Sequence, residues 1–285
     1  MQQVLRLAEK GRGLTAPNPL VGAILVKHGR IVGQGYHRGA GKPHAEVEAI
    51  RNAGDKAIGS TLFVNLEPCC HFGQTPPCTD AIISAGIKKV VYAIKDPNPV
   101  VNGKGARILK NHGIDVKSGL LAKEAKRLNE AYFKYQKSGL PFVTLKIEQT
   151  LDGKRTSTPS LNESSLSNSD CQEILRILAA DKEIAGIRTF QFITKNGLIN
   201  YLRSLAAKGV VEVIVNGADG WGAKLLRHRL IDKICCLISP VIGGKKPVLE
   251  IDLGINRISE AWKLRDVKYQ KLSKVILVSG YLRYN

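Results

Sequence analysis

Apolar runs and amphipathic segments alternate through the first half of the chain. Short runs rich in valine, isoleucine and leucine predict strands at residues 21–26, 31–36, 62–66, 89–94 and 114–119. Apolar residues that recur at helical spacing predict helices from about Val4 and at 44–54, 79–86, 103–113 and 120–139. Strands that alternate with helices predict an α/β domain whose sheet is mostly parallel.

The second half repeats this alternation and predicts a second α/β domain. Strands are predicted at 142–151, 211–215, 233–244 and 274–282, and helices at 171–182, 197–209 and 223–230. Up to about residue 169, the segment after the first of these strands is rich in Ser, Thr and Asn and predicts a loop. The tetrapeptide at 138–141, Ser-Gly-Leu-Pro, is the best boundary. It divides the chain into domains 1–140 and 141–285.

Length and composition indicate a folded protein with two cores. The chain has 285 residues, of which 44% are hydrophobic, so it is too apolar for general disorder. No apolar run reaches the ~18 residues needed to cross a bilayer, and the N-terminus lacks the apolar segment of a signal peptide. We expect no membrane partner and a cytoplasmic location, or an organellar one for a chain whose transit segment has been removed.

The net charge of +19 raises the question of an anionic partner. The basic residues are spread over both halves, form no dense block and are not interleaved with aromatic residues. Single-strand binders combine basic grooves with aromatic stacking platforms, so nucleic acid is not the favoured partner. An anionic small substrate fits the charge better, although most of the excess has no functional explanation.

A group of histidine, glutamate and cysteine residues carries the candidate chemistry. His44 and Glu46 open a predicted helix, and Cys69 and Cys78 lie on the loop before another. One imidazole and two thiolates fill three of the four positions of tetrahedral zinc and leave the fourth for water. Glu46 is close enough to His44 to move protons to and from that water without binding the metal. These residues therefore predict a catalytic zinc site.

Two alternatives for this group remain open. His-x-Glu with Pro-Cys-x-x-Cys is the signature of zinc deaminases, but here the cysteines Cys69 and Cys78 are separated by a longer loop. A noncatalytic zinc clip could use His71 or a further cysteine as its fourth ligand. Such a clip would leave the His-Ala-Glu sequence without a role, whereas hydrolytic deamination uses all four residues. A nucleic-acid deaminase is the other alternative.

Longer stretches resemble one family, the bifunctional deaminase-reductases of riboflavin biosynthesis. The resemblance lies in TAPNPLVGAILV, GYHRGAGKPHAEVEAI, LEPCCHFGQTPPC, AGIKKVVYAIKDPNP and NGKGARIL, which cover essentially all of residues 1–143. The long loop ending in TPPC distinguishes this family from tRNA and cytidine deaminases. The resemblance implies a cytidine-deaminase-like three-layer α/β/α domain followed by a dihydrofolate-reductase-like α/β domain.

The resemblance also implies a reaction and roles for individual residues. The reaction is hydrolytic deamination of 2,5-diamino-6-(5-phosphoribosylamino)pyrimidin-4(3H)-one to 5-amino-6-(5-phosphoribosylamino)uracil, with release of ammonia. By position, the Zn²⁺ ligands would be His44, Cys69 and Cys78, and Glu46 would move protons. The substrate-pocket positions are Asn18, His37, His71 and Gln74. Gln74 stands where the family usually has lysine or arginine, and Cys70 where it usually has serine.

The second domain resembles a reductase that would reduce the ribose with NADPH. PFVTLKIEQTLDGK resembles its opening strand, and the segment from Val211 resembles its final third. By position, Lys146 would contact substrate, and the cofactor contacts would be Asp152, Gly217 and Gly220.

The chain departs from the reductase pattern in ways that bear on this activity. The stretch before Val211 is shorter than in the family, and only residues 186–189, Gly-Ile-Arg-Thr, weakly resemble its cofactor segment. Residues 216–218 read Asn-Gly-Ala in place of Glu-Gly-Gly. We hypothesise a shortened domain that has lost or reduced its activity and serves in a homodimer or higher homo-oligomer. The alternative is a fully bifunctional enzyme.

Overall fold

The protein is described by a computed structural model that divides into two compact units, Met1–Gly139 and Leu140–Asn285. The described residues are 1–154, 194–217, 220–243, 246–249, 253–272 and 275–284, together with the backbone of 182–184. Three predicted features lie wholly or almost wholly outside them, namely the loop up to residue 169, the helix at 171–182 and the segment 186–189. Across the described residues, no helix is long and apolar enough to cross a bilayer.

Unit 1 contains a five-stranded sheet in the order β2-β1-β3-β4-β5. The strands are β1 (Gly22–Lys27), β2 (Arg30–Tyr36), β3 (Thr61–Leu66), β4 (Lys89–Ile94) and β5 (Asp115–Ser118). β1 is antiparallel to both β2 and β3, whereas β3, β4 and β5 run parallel. The sheet is therefore mixed and not mostly parallel as the alternation predicted. The difference arises at β1, which forms a hairpin with β2 and is also antiparallel to β3.

Helices cover both faces of this sheet. They are α1 (Gln2–Glu9), α2 (Ala45–Ala53), α3 (Cys78–Ser84), α4 (Lys104–Asn111), α5 (Ala122–Leu128) and α6 (Glu130–Ser138). Gly22 of β1 faces the backbone of α1, and the next residue, Ala23, packs in the core with Ala45 and Ala49 of α2. Since neighbouring strand residues point to opposite faces, α1 and α2 lie on opposite sides of the sheet. The unit is a three-layer α/β/α sandwich.

Helix α2 lies unusually close to strand β2 because glycines of the strand face it. A Cβ atom at Gly33 would lie 2.2 Å from the carbonyl oxygen of Ala49, and one at Gly35 would lie 2.7 Å from that of Ala45. Any larger residue would push the helix away from the sheet. This close approach sets the position of His44 and Glu46, which begin the helix.

The predicted helix at 120–139 is two helices that meet at Asn129. The Asn129 side chain is buried and holds the backbone of Leu20, accepting from its N–H at 2.7 Å and donating to its carbonyl at 2.9 Å. The backbone at Asn129 leaves helical geometry, with φ −108° and ψ 25°. The amphipathic pattern continues through this residue, so periodicity could not locate the break.

Unit 2 contains a six-stranded sheet in the order β10-β11-β9-β6-β8-β7. The strands are β6 (Phe142–Thr150), β7 (Lys182–Ile184), β8 (Glu212–Asn216), β9 (Lys233–Ser239), β10 (Lys263–Leu272) and β11 (Val275–Arg283). Helices α7 (Lys195–Ala207) and α8 (Trp221–Arg227) complete the described part. β6, β7, β8 and β9 are parallel, and β10 and β11 are antiparallel additions. The core joins leucines of α7 to valines of β6 and β8.

Candidate functional site

The candidate site of unit 1 lies where two helices begin beside the end of a central strand. His44 immediately precedes α2, Cys78 is the first residue of α3, and Cys69 follows the end of β3 by three residues. Helix N-termini favour negative groups such as thiolates. Loop backbone holds the pair of cysteines together, since the Cys78 N–H lies 3.3 Å from the Cys69 sulfur and Thr79 N–H donates to the Cys69 carbonyl.

The structure brings His44, Cys69 and Cys78 together as a set of metal ligands. Nδ1 of His44 lies 3.0 Å from Sγ of Cys78 and 3.4 Å from Sγ of Cys69. One ligand atom from each residue lies within 4.8 Å of the others. In the described part of the chain, this is the group of histidine, cysteine and acidic residues with metal-binding geometry. Two sulfurs and one nitrogen match the ligand preferences of zinc.

Hydrogen bonds within this set favour a negative Cys69. Donation by the Cys78 thiol and by His44 lowers the pKa of Cys69 well below its usual range. The same contact with Cys69 raises the pKa of His44. Shared protons thus link His44, Cys69 and Cys78. A bound divalent cation would take the place of these protons. We expect metal binding here to release protons.

Glu46 lies beside the ligand set and is 3% exposed. Burial raises the pKa of Glu46 to about 7, against the opposing effect of His44. A carboxyl group that is half protonated near neutral pH can both accept and donate a proton. Its position next to the ligands matches the role predicted from the sequence, which remains a prediction.

His37 and Asn18 form a connected wall next to the ligand set. Asn18 Nδ2 lies 3.1 Å from Nε2 of His37, and Nδ1 of His37 lies 3.2 Å from the carbonyl oxygen of Pro43. The His37 ring also packs edge-on against the ring of His44, with centroids 5.3 Å apart. Burial lowers the pKa of His37, so the neutral ring is favoured. His37 therefore supports Asn18 and the residue before His44.

His71 and Gln74 lie on the loop between Cys69 and Cys78. His71 Nδ1 is buried and has no hydrogen-bond partner among the described residues. Gln74 is exposed, and its side-chain oxygen is 3.4 Å from where a Cβ atom of Gly41 would lie. Both residues line the same cavity as the ligand set. Cys70 points elsewhere, with its sulfur 3.8 Å from the carbonyl oxygen of Val100.

A cavity of about 310 Å³ is lined by all the site residues predicted in unit 1 except Cys78. Its walls also include residues to which the sequence analysis gave no role, namely Glu67, Thr75, Asp96, Asn98, Tyr132 and Gln136. Asp96 and Asn98 belong to the KDPNP segment, which is part of the family resemblance, so the sequence could have identified them. Tyr132 and Gln136 lie on α6, and no sequence motif marks them. The residues that line this cavity include no lysine or arginine.

Glu67 fixes the loop that carries Cys69. Its two carboxylate oxygens accept from the N–H groups of Gly103 at 2.9 Å and Ala106 at 3.0 Å, so it caps α4 from a distant part of the chain. The helix also touches the loop directly, because a Cβ atom at Gly105 would lie 2.1 Å from the Pro68 carbonyl oxygen. Only glycine permits this approach. The Cys69 loop is thus attached to a helix N-terminus.

In unit 2, Asp152, Gly217 and Gly220 follow the carboxyl ends of parallel strands, and Lys146 lies in the middle of β6. Lys146 of β6 is opposite Asn216 of β8 and forms an ion pair of 2.7 Å with Glu148. A Cβ atom at Gly217 would lie 3.2 Å from the Lys146 carbonyl oxygen, and Gly220 precedes α8 with φ +69°. Ligand sites of parallel sheets form at this edge.

Asp152 follows β6 on the surface. It accepts hydrogen bonds from Thr150 Oγ1 and, at 3.4 Å, from the Gly243 N–H. The Thr150 hydroxyl lowers the pKa of Asp152. The structure thus brings Lys146 and Gly217 together, and places Asp152 against the segment after β9. Their cofactor and substrate roles remain predictions.

Comparison with known proteins finds a matching family model for each unit. Residues 1–94 match the model of the cytidine and deoxycytidylate deaminase zinc-binding region, and residues 180–278 match the RibD C-terminal domain. The riboflavin biosynthesis protein RibD of Aquifex aeolicus is 36% identical, over 98% of this chain and 96% of that protein. The chain belongs to the RibD family.

Solved structures of the RibD family share the architecture. RibD of Acinetobacter baumannii matches with a TM-score of 0.83 at 30% identity, covering 99% of this chain and 98% of that chain. The deaminase/reductase of Thermotoga maritima matches with a TM-score of 0.80 at 29% identity, covering 99% of this chain and 97% of that one. The predicted two-domain α/β fold and the predicted family are confirmed.

One relative corresponds to the first unit alone. The diaminohydroxyphosphoribosylamino-pyrimidine deaminase of Buchnera aphidicola subsp. Acyrthosiphon pisum is 52% identical over 141 residues, which cover 50% of this chain and 96% of that protein. The match to Escherichia coli RibD, also 52% identical, covers 54% of this chain and 42% of that protein. Each of these two matches covers about half of this chain.

Proposed function

We propose that unit 1 is a zinc-dependent deaminase of riboflavin biosynthesis. Its substrate is 2,5-diamino-6-(5-phosphoribosylamino)pyrimidin-4(3H)-one, its products are ammonia and 5-amino-6-(5-phosphoribosylamino)uracil, and the exocyclic amine is the leaving group. The observation that carries the proposal is the convergence of His44, Cys69 and Cys78 next to the buried Glu46. The similarity to a stand-alone pyrimidine deaminase supports the substrate.

The residues present fit a zinc ion. Two thiolates and one imidazole balance its charge, and three protein ligands leave a position for water, as catalytic sites require. When bound, zinc supplies a water that is acidic enough to act as a nucleophile at neutral pH. We propose His44, Cys69 and Cys78 as its ligands.

Glu46 is proposed to move the protons of the reaction. Hydrolysis forms a bond from water oxygen to the ring carbon, breaks the bond from that carbon to the amine, and transfers protons from water to the departing nitrogen. A buried carboxyl group beside the ligands can accept the first proton and deliver it to the amine. Burial of Glu46 favours this proton transfer, because few water molecules can reach the carboxylate and exchange protons with it.

The cavity is proposed to hold the pyrimidine through neutral donors and acceptors. Asn18 and His71 offer polar atoms to the ring, and His37 supports Asn18. Gln74 can hydrogen-bond an anionic substrate but cannot form an ion pair with it. The similarity to RibD over 98% of this chain favours the small metabolite over the nucleic-acid alternative.

An assay of ammonia release, with bound zinc measured in parallel, tests the deaminase. We expect one zinc per chain and turnover of the diaminopyrimidinone. Glu46→Gln should keep the zinc and lose at least about 100-fold in kcat, as expected for loss of a general acid–base. Glu48→Gln, on the same helix with its carboxylate 3.5 Å from Arg51, is the matched control and should remain active. A Glu46→Gln protein with full activity refutes this mechanism.

For unit 2 we keep the hypothesis of reduced or lost ribose reduction. The Aquifex alignment spans 344 positions, more than the 285 residues of this chain, so that relative has residues with no counterpart here. The match of residues 180–278 to the RibD C-terminal domain favours the bifunctional alternative, in which Lys146 contacts substrate and Gly217 and Gly220 contact NADPH. NADPH oxidation that depends on the deaminated product would establish the alternative.

Location and assembly remain our own proposals. The described cysteines are free thiols, which a reducing compartment preserves, so we propose a cytoplasmic protein. We propose a homodimer or higher homo-oligomer that forms through unit 2. Light scattering of the purified chain measures its mass, and a monomer at micromolar concentration would contradict this assembly.

A further inference from the structure

The imidazole of His44 has a hydrogen-bond partner on the side opposite the two thiols. Its Nε2 lies 3.2 Å from the hydroxyl oxygen of Thr75, while its Nδ1 faces Cys69 and Cys78. The two ring nitrogens therefore have separate partners. Thr75 lies on the loop after β3, three residues before Cys78, and lines the cavity.

The tautomer of His44 decides which of its ring nitrogens can bind a metal. A neutral imidazole carries its proton on one nitrogen and has a lone pair on the other, and the partner of the protonated nitrogen fixes both tautomer and ring orientation. Since Nδ1 faces the thiols, the metal-binding tautomer carries its proton on Nε2. The hydroxyl oxygen of Thr75 is positioned to accept that proton in a hydrogen bond.

We propose that Thr75 is a positioning residue for zinc, which holds the His44 ring in the orientation that presents Nδ1 to the metal. This inference rests on the proposed zinc site. The loop geometry supports it, because Pro76 and Pro77, each with φ restricted by its ring, join Thr75 to the ligand Cys78. One short, stiff segment thus supplies one metal ligand and orients another.

The contact of His44 with His37 cannot replace this hydrogen bond. The two rings pack edge to face with centroids 5.3 Å apart. This packing restricts the tilt of the His44 ring, but it is compatible with either tautomer. The hydrogen bond at Nε2 therefore falls to Thr75, whose hydroxyl accepts from Nε2 when Nδ1 holds the metal.

Three variants of the full-length chain test the role of the hydroxyl group. Thr75→Val removes the hydroxyl at nearly constant volume, and Thr75→Ser retains it. Thr61→Val, at the start of β3, is the matched control for a threonine remote from the ligands. Each zinc dissociation constant is measured by competition with a chromophoric chelator, and kcat and KM are measured on zinc-loaded protein.

We expect Thr75→Val to weaken zinc binding by about 10–100-fold, the usual effect of removing the partner of a metal-binding histidine. Thr75→Ser should stay within about threefold of the wild type, and Thr61→Val should be unchanged. A Thr75→Val protein that binds zinc as tightly as the wild type overturns the proposal. So does a Thr75→Ser protein as weak as Thr75→Val, because the hydroxyl would then not be the cause.

Nitrogen NMR of the wild-type protein provides a second test that needs no folded variant. In zinc-loaded protein labelled with ¹⁵N-histidine, we expect Nε2 of His44 to carry a bonded proton and Nδ1 to show the shift of a metal-bound nitrogen. Zinc on Nε2 overturns the proposal. A wild-type chain that binds no zinc refutes the proposed deaminase site instead, so the two failures are distinguishable.

Discussion

Asp96 lies in the cavity wall and is 5% exposed. Tyr132 and the Asn98 N–H donate hydrogen bonds to one of its carboxylate oxygens, at 3.0 and 2.8 Å. Burial nevertheless raises the pKa of Asp96 to about 6, because desolvation outweighs these two donors. An acid with a higher pKa in the folded state stabilises the fold at low pH and loses that contribution as pH rises through about 6.

Asp96→Asn should therefore change the pH dependence of stability. Relative to the wild type, the variant should gain about 1–2 kcal/mol in free energy of unfolding between pH 4.5 and pH 7, because it cannot ionise. Urea unfolding with a chelator present, followed by circular dichroism, measures this difference. Fluorescence of the only two tryptophans, Trp221 and Trp262, reports unit 2 separately. A difference that does not vary with pH would contradict the prediction.

Glu67→Gln should destabilise unit 1 by about 1–3 kcal/mol, since one acceptor oxygen becomes an amide that faces a backbone N–H group. The residue lies two positions before Cys69, so we also expect weaker zinc binding. Urea unfolding and chelator competition measure the two effects. Glu124→Gln, in the first turn of α5, is a matched control that should stay within about 0.5 kcal/mol of the wild type. Wild-type stability of Glu67→Gln would show that capping of α4 contributes little.

At the scale of elements, the separation of α2 from β2 controls the site. Gly35→Ala would place a methyl group 2.5 Å from Cβ of Glu48 and 2.7 Å from the Ala45 carbonyl oxygen, so the helix must move. We expect a loss of at least about 2 kcal/mol in stability and a clear loss of zinc affinity. Gln34→Ala, on the exposed face of the same strand, should change neither. Normal zinc binding by Gly35→Ala would show that α2 can shift without moving His44.

Elements with an apolar pattern could be predicted from the sequence, and those defined by pairing alone could not. The runs that form β1, β3, β4 and β6 are apolar because the strands are buried. Strand β10 was not predicted, since its sequence KLRDVKYQKL is mostly polar and exposed, and only its pairing with β11 makes it a strand. The break at Asn129 depends on Leu20, which no local pattern includes.

At the scale of the whole molecule, each unit has its own core, and one relative consists of the first unit alone. We therefore expect a fragment of residues 1–139 to fold, bind zinc and release ammonia with kcat/KM within about tenfold of the full chain. Ammonia assays of the fragment and the full chain, at equal zinc occupancy, test this. An inactive fragment beside an active full chain would show that deamination requires unit 2.

The candidate site could be predicted only as far as its chemistry is local. His44, Glu46, Cys69 and Cys78 belong to short motifs with recognisable ligand chemistry, so the sequence could identify them. The wall formed by α6 could not be predicted, because its helix reaches the cavity through long-range packing. The same holds for Thr75, whose proposed role depends on the rotamer of a distant histidine.

The hydrogen bonds that hold the Leu20 backbone have a consequence for the order in which unit 1 can be completed. The Leu20 carbonyl accepts from two buried asparagines, Asn65 of β3 and Asn129 at the start of α6. The second contact joins residues 109 positions apart in the chain. During synthesis, the sheet can pair before this contact exists, but the segment with Asn18 gains its second support only after α6 has left the ribosome. The part of the cavity wall that α6 contributes can therefore be completed only after the chain has been synthesised beyond residue 138.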